Sequence, residues 1–210
     1  GDTATASEDV AYAGWTAAGD WGYSDVDSDT MISITLKSLP SQGTLTSTNN
    51  ACGGDNTCAI DDVVLLTKLA AGDLTYTGAS NYNGADTFTY TVEDSALSSS
   101  TGTMTMTVSA VNDVPVAGDT SDQTVFEDLA FSFQTAQSTD VDGDSMTMSC
   151  VETGGDMPAF LSETGDSGGQ ATLGGTATAA ALALADSDAD NTYGMTCTTT
   201  DSAGGTATDT

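Results

Sequence analysis

The chain contains no histidine, and Lys37 and Lys68 are the only basic side chains among its 210 residues. Without histidine, Ser–His and Cys–His nucleophilic pairs cannot form, and the most common general acid–base residue is missing. Two lysines cannot neutralise a nucleic-acid backbone or hold the protein on anionic lipid, because both tasks need clusters of Lys and Arg. The sequence therefore predicts a protein that is not an enzyme and binds neither nucleic acid nor anionic membranes.

Long apolar runs and aromatic residues are also scarce. No run of apolar residues is long enough to cross a bilayer, so we expect no direct membrane insertion. Trp15 and Trp21 are the only tryptophans, and we expect them to pack in a core. The alternative is an exposed platform for a glycan. Glycoside hydrolysis by a pair of carboxylates would need such platforms in a cleft, so the scarcity of aromatics opposes it.

Acidic residues dominate what is present. The 31 Asp and Glu residues leave a net charge of −29, and self-repulsion at this charge strains a compact fold. Bound divalent cations or a salty medium would relieve the repulsion. Disorder is the alternative for a highly charged chain, but runs of alternating apolar residues oppose it here.

The acidic residues form loops that recur in the same order about one domain length apart. Asp-Val-Asp occurs at 25–27 and again at 140–142, and each copy is preceded by Glu-Asp, at 8–9 and at 127–128. Clustered carboxylates with almost no base to pair them suit Ca²⁺, which takes about 6–8 oxygen ligands. Solvated turns are the plain alternative, because isolated Asp is common in turns.

Apolar residues alternate with hydroxyl residues along most of the chain. Phe88, Tyr90 and Val92 alternate with threonines, and so do Met104 and Met106. This period of two predicts short antiparallel strands with one buried and one solvated face. We therefore predict an all-β chain of about seven strands per domain. The sequence VNDVPV at 111–116 separates the domains, which we place at 1–112 and 113–210.

The four cysteines fall two per predicted domain. Cys52 and Cys58 flank a short turn-like loop, whereas Cys150 and Cys197 lie in strand-like runs. Even pairing within each domain predicts two disulfides and an oxidising, extracellular compartment. Four free buried thiols are the alternative. Zinc would require closer cysteine spacing or histidine.

Several motifs carry a family resemblance. In the first domain SED, SDVDSD, LPSQGTL, NYNGADTFTYTVED and VNDVP resemble the cadherin-like and Ig-like repeats of large bacterial surface adhesins. In the second, DQTVFEDLAFSF, STDVDGDSMTMS, MPAFLS and TTTDSAGGTATDT are similar to the dystroglycan-type cadherin-like repeat. The resemblance implies two tandem Greek-key β-sandwich domains of cadherin or Ig type in an elongated array.

The same resemblance implies Ca²⁺ sites at domain junctions. Glu8 and Glu127 match the acidic residue after the first strand, and Asn112 and Asp113 match the linker. The remaining implied ligands are the two Asp-x-Asp pairs, the Asp closing each penultimate strand, and candidates for an acidic turn before it: Asp25, Asp27, Asp140, Asp142, Asp94, Asp201, Asp86, Asp188 and Asp190.

The function expected from these features is an extracellular, calcium-stiffened structural or adhesive repeat of a cell-surface adhesin. Expected partners are neighbouring repeats of the same polypeptide, identical subunits, or a cell-surface or glycan ligand. One alternative is a filament subunit assembled by strand complementation, and another is a glycan-binding module. The second domain ends in SAGGTATDT, without the apolar alternation that closes the first, so we expect residues outside 1–210 to complete its last strand.

Overall fold

The computed structural model describes residues 2–15, 18–54, 56–96, 99–153, 159–166, 168–179 and 193–210. The chain divides into two compact units, Gly1–Val111 and Asn112–Thr210. Within the described ranges, strands supply nearly all of the regular structure. A short α-helix, Leu66–Ala70, and a 3₁₀ turn, Ala18–Trp21, also occur. The prediction of an all-β chain is confirmed.

The first unit contains two β-sheets. The larger has the strand order β1-β7-β6-β2-β4, and the smaller pairs β3 with β5 and is extended by a bridge between Tyr12 and Tyr76. Successive strands from β2 to β6 alternate between the two sheets, which is the crossing pattern of a β-sandwich. The strands are β1 (Asp2–Ser7), β2 (Met31–Leu36), β3 (Gly43–Ser47), β4 (Val63–Leu65), β5 (Leu74–Gly78), β6 (Gly84–Asp94) and β7 (Ser99–Ser109).

The first and last strands of this unit lie side by side. β1 runs parallel to β7, from Asp2 opposite Met104 to Ser7 opposite Ser109. All other strand pairs of the unit are antiparallel. The longest of these joins β6 and β7, which remain in register from Gly84 to Glu93. Because β1 and β7 are adjacent, the residues that follow them, including Glu8, lie at the same end of the unit.

An aromatic cluster fills the core between the sheets. Trp15 and Trp21 are each only 1% exposed, and their ring centroids lie 5.5 Å apart. Trp21 meets Tyr90 edge to face at 4.9 Å, and Phe88 packs against both tryptophans. The prediction that both tryptophans belong to the core is confirmed. The alternative of an exposed glycan platform at these two residues is wrong, because the sandwich covers them.

The second unit contains two three-stranded sheets, with the strand orders β10-β11-β8 and β13-β12-β9. All pairs in both sheets are antiparallel. The strands are β8 (Ala130–Gln134), β9 (Thr147–Glu152), β10 (Leu161–Asp166), β11 (Ala171–Thr176), β12 (Met195–Thr200) and β13 (Thr206–Asp209). β13 pairs with β12 from Thr206 to Asp209, and its completion by residues outside 1–210 stays a prediction.

Both predicted disulfides are present. Cys150 and Cys197 lie directly opposite each other in the neighbouring strands β9 and β12. Cys52 and Cys58 close a short loop in the first unit. The second disulfide also forms part of the core of its unit, where it belongs to a cluster with the buried residues Met148, Ala171 and Leu173.

Candidate metal centre

Four of the predicted ligands come together in pairs where the second unit begins. The Asn112 side-chain amide donates a hydrogen bond of 3.0 Å to Asp201 Oδ2. The Asp113 backbone N–H donates a hydrogen bond of 2.7 Å to Asp142 Oδ2, and oxygens of the Asp113 and Asp142 carboxylates lie within 4.8 Å of each other. Residues distant in sequence therefore present their oxygens beside the start of this unit.

Asp201 is held by the turn that follows β12. Its Oδ1 accepts hydrogen bonds from the backbone N–H groups of Ala203 (2.9 Å) and Gly205 (2.7 Å). Gly204 between them adopts a positive φ of 96°, a conformation that favours glycine. The hydrogen bond from Asn112, reinforced by those of the turn, holds the pKa of Asp201 below its ordinary value. Asp201 is therefore a fixed, ionised carboxylate at neutral pH.

The loop 140–144 supplies a carboxylate oxygen without a partner. Asp140 Oδ1 accepts a hydrogen bond of 3.1 Å from the Asp144 backbone N–H, and Gly143 takes a positive φ of 75° in the turn between them. Asp140 Oδ2 is buried and has no hydrogen-bond partner among the described residues. A buried carboxylate oxygen is costly unless a hydrogen bond or a cation compensates it. This atom fits a metal ligand better than it fits a solvated turn.

Glu8 has a comparable environment at the end of the first unit. It follows β1 and is fully buried, with its N–H bonded to the Ser109 carbonyl. Its Oε1 accepts a hydrogen bond from the Val111 backbone N–H. Oε2 is buried and has no hydrogen-bond partner in the described part of the chain. The carboxylate is thus fixed in orientation, and its second oxygen has no hydrogen-bond donor among the described residues.

The opposite end of the first unit gathers a second group of carboxylates around Tyr23. Asp25 Oδ1 accepts hydrogen bonds from the backbone N–H groups of Asp27 and Asp29, at 2.8 and 3.0 Å. Partial burial, with the negative charges of Asp25, Asp94 and Asp29, raises the pKa of the Tyr23 hydroxyl. Asp29 was not predicted as a ligand, although its place in the same acidic loop could have indicated it.

Asp86 lies in a different environment from the other candidates. It is 2% exposed, and its carboxylate accepts hydrogen bonds from the backbone N–H groups of Ser41, Gln42 and Thr87 and from the Tyr76 hydroxyl. Protein donors thus surround both oxygens, and Asp86 fastens the 41–42 loop to β6. Its role as a metal ligand stays a prediction that these contacts do not favour.

Three predicted ligands remain: Glu127, Asp188 and Asp190. Glu127 lies exposed in the turn before β8. Asp188 and Asp190 lie outside the described residues, so their role as metal ligands stays a prediction. In the described ranges no helix is both long and apolar enough to span a membrane.

Comparison with known proteins identifies one family over part of the chain. Residues 56–109 match the cadherin-like domain. This stretch runs from the Cys52–Cys58 loop through β7, and it confirms the cadherin-like part of the predicted resemblance. A search of curated proteins finds no match.

The solved structures to which this chain is similar include enzymes and structural proteins. An endo-fucoidan hydrolase of glycoside hydrolase family 107 is 20% identical, with 99% of this chain and 26% of that chain covered, at a TM-score of 0.31. A chimeric titin Z1Z2 tandem is 14% identical, with 99% of this chain and 92% of that chain covered, at a TM-score of 0.31. The human desmocollin-1 ectodomain is 13% identical, with 80% of this chain and 32% of that chain covered, at a TM-score of 0.33. The chain thus spans about a quarter of the hydrolase, and at these scores no function is transferred.

Proposed function

We propose that this chain is an extracellular, calcium-binding structural repeat of an adhesive surface protein and that it performs no catalysis. The observation that supports this most is the pairing of Asn112 with Asp201 and of Asp113 with Asp142. It brings oxygen-bearing side chains from distant parts of the sequence to the first residues of the second unit. An adhesive, extracellular repeat also agrees with the cadherin-like match at 56–109 and with the two disulfides.

The donor set selects a hard cation. The candidate ligands are carboxylate and amide oxygens, the chain has no histidine, and all four cysteines are in disulfides. Oxygen donors of this kind suit Ca²⁺, and a soft transition metal would require imidazole or thiolate. Among the described residues, the buried Asp140 Oδ2 has no hydrogen-bond partner, and a bound cation would compensate its burial. In the first unit, the same argument applies separately to Glu8 Oε2.

Bound calcium would restrict the motion of the segment that contains Asn112 and Asp113. Asn112 and Asp113 follow directly after the first unit, so an ion bound by them and by Asp140, Asp142 and Asp201 would immobilise the chain where the units join. The ion would also offset part of the −29 charge. A repeat stiffened in this way transmits force and keeps its reach, and its partners would be neighbouring repeats or identical subunits.

A calcium titration tests the proposal. Extracellular modules bind Ca²⁺ with dissociation constants of about 10⁻⁴–10⁻³ M. At 100 times the dissociation constant, each site would raise the free energy of unfolding by about 2.7 kcal/mol. We expect a higher melting temperature in Ca²⁺ than in EDTA. Asp142→Asn should reduce this gain, whereas Asp122→Asn, at an exposed position outside the cluster, should not.

Two results would contradict the proposal. One is an identical melting temperature in EDTA and in millimolar Ca²⁺. The other is an equal calcium response in the Asp142→Asn and Asp122→Asn variants, which would mean that the ion acts through general charge screening and not at this cluster.

A further inference from the structure

The outer surface of the larger sheet in the first unit carries an array of threonines. In β1, β6 and β7, threonines occupy the positions between the buried residues, so their side chains lie on the side of the sheet turned away from the core. We call this outer surface of the sheet the threonine face. Its fully exposed threonines are Thr3, Thr5, Thr87, Thr101, Thr103 and Thr107.

The strand register aligns the threonines across the sheet. Thr105 in β7 lies opposite Thr3 in β1 and Thr87 in β6. Thr91 in β6 likewise lies opposite Thr35 in β2. Threonine is β-branched and stiff about χ1, so it loses little side-chain freedom when a partner covers it. The threonine face is therefore regular and already ordered for contact with another surface.

The threonine face carries almost no charge, although the net charge of the chain is −29. Among the described residues of the five strands, Glu93 is the only charged side chain on this face. The other carboxylates of these strands, on Asp2, Asp86 and Asp94, occupy the inward-facing positions. Contact with solvent alone does not require this, because exposed carboxylates are well hydrated. A neutral face does allow two acidic molecules to approach without opposing like charges.

Two apolar side chains extend the threonine face at its β4 border. Val63 and Leu65 are 49% and 51% exposed, and they lie opposite Thr35 and Ser33 of β2. Val64 between them is fully buried, so its two neighbours point outward. Their methyl groups continue those of the threonines, and contact with a second protein surface would remove this apolar area from water.

The threonine face is large enough for a protein–protein contact. β6 and β7 contain 11 residues each, β1 and β2 contain six each, and β4 contains three. With about 3.4 Å per residue and about 4.8 Å between strands, the face covers roughly 600 Å². Two such faces in contact would bury roughly 1,200 Å², which is the lower limit for specific interfaces. This area predicts a weak and reversible dimer.

We propose that the threonine face binds the same face of a second copy of this chain. Twisted sheets stack face to face at about 10 Å with a small angle between their strands, and two identical sheets can do so about a two-fold axis. The contact uses none of the proposed calcium ligands, so it can fail while calcium binding holds, and the reverse. It would join neighbouring molecules side by side.

Analytical ultracentrifugation and NMR of the full chain test the proposal. In Ca²⁺ and physiological salt, we expect a monomer–dimer equilibrium between micromolar and millimolar protein. Dilution should shift the amide signals of residues 87–91 and 101–107. A chain that stays monomeric, or dilution shifts confined to other residues, would overturn the proposal. A monomeric chain whose threonine-face signals shift with dextran would assign the face to a neutral glycan and would also overturn it.

The same substitution on two different sheets locates the contact. Thr103→Glu places a carboxylate on the threonine face, and a symmetric dimer would contain it twice, so we expect association to weaken about tenfold or more. Thr44→Glu is the matched control, because Thr44 is exposed on the smaller sheet of the same unit. It should dimerise as the parent does. Equal dissociation constants for the two variants would overturn the assignment to the threonine face.

Glu93→Gln provides a gain of affinity that misfolding cannot produce. It removes the charge from the threonine face, so we expect about threefold tighter association. Raising the salt concentration should also strengthen the dimer, because salt screens the repulsion between two acidic molecules. An unchanged dissociation constant in Glu93→Gln, or weaker association at higher salt, would overturn the argument from charge.

Discussion

Removal of the Cys150–Cys197 disulfide should destabilise the second unit far more than the first. Among the described residues of the second unit the buried core cluster is small, and it consists of Met148, Ala171, Leu173 and these two cysteines. The first unit has a larger core that contains both tryptophans. The second unit therefore depends more on its covalent cross-link.

The size of the effect follows from the length of the loop that the disulfide closes. The two cysteines are 47 residues apart, and in the chain-entropy model a loop of this length contributes about 4 kcal/mol. For a domain of about 100 residues, 1 kcal/mol shifts the melting temperature by about 4–8 °C, so the loss corresponds to roughly 15–30 °C. Cys52 and Cys58 are 6 residues apart, and their bond contributes about 2 kcal/mol.

Differential scanning calorimetry of paired alanine variants measures this. The Cys150→Ala/Cys197→Ala variant should lower the melting temperature of one of two unfolding transitions by roughly 15–30 °C. NMR should assign that transition to residues 112–210. The Cys52→Ala/Cys58→Ala variant is the matched control and should lower the other transition by less. The reasoning would be refuted if loss of the Cys150–Cys197 bond left the second-unit transition in place or shifted both transitions equally.

Two further predictions concern buried side chains of the first unit. Burial, together with a hydrogen bond to Asp86 for Tyr76 and to Asp2 for Tyr90, raises the pKa values of these two hydroxyl groups in the folded protein. Their contribution to the free energy of unfolding is therefore complete below about pH 10, the pKa of an unfolded tyrosine. It is lost as the pH rises from there through the pKa values of the folded protein. Urea denaturation should show stability falling above about pH 10, with a smaller fall in Tyr90→Phe; an unaltered slope would contradict this. Asp86→Ala should cost about 3 kcal/mol, because the Ser41 and Gln42 N–H groups lose their acceptor, and calcium affinity should stay unchanged. A large drop in that affinity would instead make Asp86 a metal ligand.

Much of the fold of the first unit was predictable because strands such as β6 bury one face. The alternation of Phe88 and Tyr90 with threonine places the aromatic rings inward, and the structure has them fully buried. The pairing of β1 with β7 was not predictable in the same way. It joins strands about 100 residues apart, and alternation indicates which face is buried but not which strand is the neighbour.

The candidate site was predictable only in part. The repeated Asp-Val-Asp loops and the family resemblance predict Asp140 and Asp142 as ligands, and this stays a prediction. Spacing could not separate Asp86 from them, because the donors that surround Asp86 come from Ser41, Gln42 and Tyr76, which are distant in sequence. Whether a carboxylate has a free oxygen depends on long-range contacts of this kind, and local sequence does not record them.

The parallel pairing of β1 with β7 has a mechanical consequence. The chain enters the first unit through β1 and leaves it through β7, and because the strands run in the same direction, entry and exit lie at opposite ends of the pair. A pull along the chain would load the ladder from Asp2–Met104 to Ser7–Ser109 in shear, so its hydrogen bonds would have to break together and could not open one at a time. The first unit is therefore built to resist tension.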